Sequence, residues 1–93
     1  MSADNFLVLR EQPNGKWSVR MAFLSGWSVP RSSDEKIDAY LFKHTWEVQE
    51  GLQDFDTEDL AHDYCDMVER SSVVEYGREI FRRRPSPTPR VQP

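Results

Sequence analysis

The chain has a single cysteine, Cys65, so no disulfide can form within it. Small secreted domains usually offset a thin core with disulfides, so a lone thiol points to a reducing compartment and a cytoplasmic protein. No apolar run approaches the ~20 residues of a membrane span. The opening Met1-Ser2-Ala3-Asp4-Asn5 has no basic stretch leading into an apolar one, so no signal peptide is expected. The four glycines are scattered and form no phosphate-cradling loop. Histidine is limited to His44 and His62. Positive charge is missing from 47–69, where nine acids occur without one Lys or Arg.

What is present fits one small domain of 93 residues. Three tryptophans, Trp17, Trp27 and Trp46, supply large buried area to a chain of limited volume. The net charge of −4 hides a division. Arg82, Arg83, Arg84 and Arg90 lie in a proline-rich end with no acid, leaving 8 basic and 16 acidic residues in 1–81. Residues 1–81 therefore read as a single α+β domain of net charge −8, and 82–93 as a disordered Arg/Pro-rich tail with little to bury.

Residues 5–24 read as a β-hairpin. Trp17, Val19, Met21 and Phe23 alternate onto one face of its second strand. Two turns fit Pro13-Asn14-Gly15. A two-residue Asn14-Gly15 loop opposes Val8 to Met21, whereas a type I turn on Pro13-Asn14 with Gly15 in a bulge opposes Leu7 to Met21. The choice flips the faces of the first strand, and Pro13 favours the second. Residues 25–36 read as an exposed loop carrying Trp27. In 37–48, Tyr40, Phe42, His44, Trp46 and Val48 share one parity, which reads as a third strand. Residues 52–55 read as a short strand or a connection.

Residues 57–70 read as an amphipathic helix, with Leu60, Ala61, Tyr64, Cys65 and Val68 on one face. Asp56 is the expected N-cap, with Phe55 and Leu60 as a hydrophobic staple. A last strand with a glycine kink follows over 73–81. The expected fold is an antiparallel sheet of about four strands, in the order hairpin, third strand, helix, last strand, with one helix packed on it.

Three short motifs carry a resemblance to a family. They are the opening Met1-Ser2-Ala3-Asp4-Asn5 before an apolar strand, Phe55-Asp56-Thr57-Glu58 at a helix start, and Val74-Glu75-Tyr76-Gly77 in a final strand. In these the chain resembles a set of small phage and prophage proteins. The likeness covers about 1–10 and 55–80, and departs from the pattern at Arg78 and in the tail. It implies an accessory phage role in the cytoplasm of a bacterial host, and it supplies no active site.

No residue pattern points to catalysis. Cys65 sits on the apolar face of the helix among acids, which raises a thiol pKa and leaves the group inert. His62 shares a helix side with Asp59, Asp63 and Asp66, a spacing that can bind metal but is more often a solvated face. No metal or cofactor is expected, and the chain reads as a non-enzyme. Two binding readings follow. In the first, the acidic surface engages a host protein with a basic face, in counter-defence or by mimicry of DNA phosphates, through Asp59, Asp63, Asp66 and Glu69. The −8 domain would not bind nucleic acid directly. In the second, an oligomer sequesters a nucleotide immune signal, with Trp27 as the aromatic platform and Arg20, Arg31 and Lys43 as phosphate ligands.

Overall fold

The computed structural model describes residues 4–49, 54–71 and 74–83. Strand β1 (Asn5–Glu11) and strand β2 (Trp17–Phe23) form the hairpin, paired from Asn5↔Phe23 to Glu11↔Trp17. Leu7 lies opposite Met21, the register of the type I turn with a bulge. The Gly15 amide donates to the Gln12 carbonyl at 2.9 Å, and Gly15 takes φ +84°, which a residue with a side chain adopts only at a cost.

Residues 37–48, expected as a third strand, are mostly helical. Helix α1 (Asp34–His44) is followed by the short strand β3 (Thr45–Glu47), which pairs antiparallel with β2. The alternating aromatics misled because a period of two and a period of 3.6 coincide over a few residues. Ile37 and Leu41, four apart, are the pair that becomes buried. The Ser33 hydroxyl caps the helix, accepting from the Lys36 amide at 3.2 Å, and Asp34 and Glu35 occupy the first turn. These cap signals lay inside the segment expected to be loop.

Helix α2 (Glu58–Ser71) and strand β4 (Arg78–Phe81) complete the fold, and the sheet order is β3-β2-β1-β4. β4 pairs parallel with β1, so the sheet, expected to be antiparallel, is mixed and mostly antiparallel. The reason is topological. β3 runs antiparallel to β2 and hence parallel to β1, and a helix crossing between two strands of one sheet returns the chain to the same end.

The fold is thus α+β with a four-stranded sheet, but with two helices rather than one. α2 covers one face, burying Leu7, Leu9, Trp17 and Val19 against Ala61, Tyr64, Cys65 and Val68. The opposite face packs Phe6, Val8, Ala22 and Phe81 against Ile37 and Leu41 of α1. Two-sided burial explains why Phe6 through Arg10 are all buried, where a one-sided strand would alternate. Phe23, expected on the inner face with Trp17 and Val19, is exposed and packs on Trp46, ring centroids 4.7 Å apart.

Two local expectations also change. Thr57, not Asp56, caps α2, its hydroxyl accepting from the Leu60 amide at 3.1 Å. Asp56 instead pairs with Lys16 at 3.0 Å. Leu60 is exposed and lies outside the core cluster, while Phe55 packs on Tyr64 at 5.1 Å and bridges backbone to backbone with Trp17. Of the segment assigned to the tail, Arg82 and Arg83 are held against the fold by Glu58 and Asp38, and 84–93 lie outside the described residues.

Candidate functional site

The acidic face of α2 is substantially neutralised by β4. Arg78, the first residue of that strand, donates to Glu69 from Nε at 2.9 Å and from Nη2 at 3.0 Å, and also pairs with Asp66. Its Nη1 donates to Nδ1 of His62 at 2.8 Å, and His62 Nε2 lies 3.2 Å from Glu58. Arg82 closes the row, donating to both Glu58 oxygens at 2.9 and 2.7 Å. These hydrogen bonds hold the carboxyls of Glu58 and Asp66 below their ordinary values and raise both arginines. Of the four expected partner-binding residues, Asp66 and Glu69 are therefore committed within the chain. Asp59 and Asp63 are exposed and make no ion pair with another described residue.

The four expected ligand residues do not converge. Trp27 folds over the edge of the α1 core, 4.9 Å from Phe6 and 5.2 Å from Tyr40, and its indole donates to Glu79 at 2.7 Å. Arg31 pairs with the same Glu79 and lies 4.7 Å above the Phe81 ring. Lys43 is exposed in the last turn of α1. Trp27 borders a small pocket of about 120 Å³ with Phe23, Tyr40 and His44, and Arg20 faces a larger cavity.

That cavity, of about 390 Å³, lies at the end of the sheet face covered by α1. Arg10 and Ser18 sit opposite each other on β1 and β2, and Arg20 is two residues further along the same face. α1 contributes Asp38, Leu41 and Phe42. Arg83, beyond β4, and Asp54, which takes φ +72°, complete the charged walls. Three guanidinium groups and two carboxylates thus line the cavity, and two further carboxylates pair with these arginines, Asp34 with Arg10 and Glu47 with Arg20.

Asp38 organises the cavity. Its Oδ1 accepts from Arg10 Nε at 2.7 Å and its Oδ2 from Arg83 Nη2 at 2.6 Å. Burial pushes the Asp38 carboxyl up, but the two guanidinium groups outweigh it and the net shift is downward. Arg10 also reaches Asp34, and the Arg83 amide donates to Glu11 at 3.0 Å. Arg20 is turned toward Thr45, donating to its hydroxyl at 2.6 Å and its carbonyl at 2.9 Å.

Three buried side-chain polar atoms have no hydrogen-bond partner among the described residues, and two of them are Arg10 Nη1 and Arg83 Nε. Arg10 is only 4% exposed. A buried donor without an acceptor costs about 1–3 kcal/mol, more when charged. Both residues line the same cavity, although these two nitrogens are themselves closed to solvent. Sequence reasoning missed Arg10 and Arg83, although a charge ending the apolar run of β1 was a visible signal. The placement of Arg83 depended on β4 lying beside β1.

Comparison with protein-family models, curated proteins and solved structures finds no match for this chain. Among the described residues, no helix is long and apolar enough to cross a membrane.

Proposed function

We propose that this chain is a non-enzymatic binding protein whose ligand is a small anion-bearing molecule held in the cavity between α1 and the sheet. The observation that carries the reading is the convergence of Arg10, Arg20 and Arg83 on one cavity, with Arg10 and Arg83 both fixed by Asp38. Ion pairing to a shared carboxylate holds both forks in place before any ligand arrives, which lowers the ordering cost of binding. The volume of about 390 Å³ falls at the small end of ligand cavities, roughly 300–1,000 Å³. The walls all come from one chain, so an oligomer is not required. In the phage setting that the sequence resemblance implies, such a protein would act by sequestering an anionic metabolite or signal of its bacterial host.

The test is a titration with inorganic phosphate and small carboxylates followed by backbone amide NMR shifts. Saturable shifts at Arg10, Ser18, Arg20 and Asp38 are expected. Shifts that do not saturate, or that spread along α2, would count against the cavity.

A second reading keeps the acidic surface, because Asp59 and Asp63, one turn apart on α2, remain exposed without an ion-pair partner among the described residues. In that case a basic host protein would bind at low salt and be released at high salt. The double variant Asp59→Lys, Asp63→Lys would abolish capture, while Arg83→Ala would not.

A further inference from the structure

We infer, on the strength of the anionic-ligand reading, that the ligand is a phosphorylated planar compound of mononucleotide size, with its phosphate against Arg10 and Arg83 and its ring on Phe42. The cavity lining is of two chemical kinds. One is the pair of guanidinium groups clamped by Asp38. A planar fork offers parallel donors that match a phosphate, whose several oxygens can satisfy two forks at once.

The other kind is apolar. Phe42 follows Asp38 by four residues on α1, so the two share a helical face, and both line the cavity with Leu41 and Pro13. Phe42 is 85% exposed, the most exposed large hydrophobic side chain among the described residues. Its ring makes no aromatic contact with another described residue, unlike Phe6, Phe23, Phe55 and Phe81. An unstacked phenyl beside an anion site provides a π-face for a heterocycle, a contact tolerant of which base it is. The cavity volume limits the ligand to about one phosphate and one ring system.

The probes are adenosine, guanosine, cytidine and uridine 5′-monophosphates, the four nucleosides, and inorganic phosphate. Each is titrated calorimetrically into the wild-type chain, Phe42→Ala and Arg83→Ala, with a circular dichroism melt of every variant. At least one nucleotide is expected to bind more than tenfold more tightly than either phosphate or its nucleoside. Phe42→Ala, a change at an exposed position, should lower nucleotide affinity about five- to tenfold and leave phosphate affinity unchanged. Arg83→Ala should weaken nucleotide and phosphate together. If phosphate binds as tightly as every nucleotide and Phe42→Ala has no effect, the two-part ligand is wrong and the anion cavity stands. If nucleosides bind as tightly as nucleotides with Arg83→Ala neutral, or if nothing binds, both readings fall. Should Arg83→Ala fail to fold, Arg83→Lys replaces it, keeping the charge but not the fork, and a weakened nucleotide is again the expected result.

Discussion

Arg78 is the residue on which the α2 surface depends. It is largely covered, with its side chain 18% exposed, and it joins three side chains of the helix to the first position of β4. Replacing it with Ala leaves Asp66, Glu69 and His62 without their donor and a like-charge row uncompensated. Because Asp66 and Glu69 are partly solvated, the expected loss is about 1–2 kcal/mol, read as a lower denaturant midpoint. Arg78→Lys should recover less than half of it, since an ammonium cannot donate along three directions fixed by a planar fork. A full rescue by Lys would show that charge alone matters there. Cys65 gives a second residue-scale test. It is fully buried, and burial pushes its thiol up to about 12. In the native protein it should resist aromatic disulfide reagents near neutral pH and react at once in denaturant. Stoichiometric labelling of the folded chain would mean that α2 opens readily.

At the scale of elements, the ends of the helices decide more than their middles. Thr57 and Asp56 both have the chemistry of an N-cap, and Asp56 is the one expected from the sequence. The structure gives the role to Thr57, whose hydroxyl receives the Leu60 amide, and gives Asp56 to Lys16 on the hairpin turn. Thr57→Ala should therefore cost about 1 kcal/mol in thermal or denaturant unfolding. Asp56→Ala should cost a few tenths, because exposed ion pairs are weak. The reverse order would restore Asp56 as the cap. α1 was harder to read than α2 for a physical reason. Ile37 and Leu41 alone are its buried residues, whereas α2 buries four. A narrow apolar stripe flanked by outward aromatics such as Phe42 imitates a strand, while a wide stripe does not.

For the molecule as a whole, acid is the relevant stress. Carboxyls at three places are held below their ordinary values: Asp38 by Arg10 and Arg83 against the opposing effect of burial, Glu58 chiefly by Arg82, and Asp66 chiefly by Arg78. A group whose folded value is depressed contributes stability above its unfolded pKa and loses it as pH falls through the folded one. The unfolded chain then takes up protons more readily, so acidification favours unfolding. The melting temperature should stay nearly level from pH 7 to about 5 and drop below about pH 4.5. Arg78→Ala and Arg82→Ala should flatten that drop. A melting temperature that holds or rises down to pH 3 would show that these pairs contribute little.

Much of the chain was legible because the deciding physics was local. Pro13-Asn14-Gly15 marked the hairpin turn and narrowed the register of β1 on β2 to two choices, of which the structure takes the one Pro13 favoured. The width of the apolar stripe from Ala61 to Val68 determined α2. Only the tertiary structure decided the rest. Parallel pairing of β4 with β1 comes from a crossover that no local pattern encodes. That pairing brings Arg83 to Asp38 and Arg10, and Arg78 to the acids of α2. The acidic run was plain in the sequence, but its neutralisation was not, because charges far apart in the chain compensate only after the sheet has set their distance. The candidate site was hidden for the same reason: its arginines come from β1, β2 and the end of β4, three segments that meet only through the strand order.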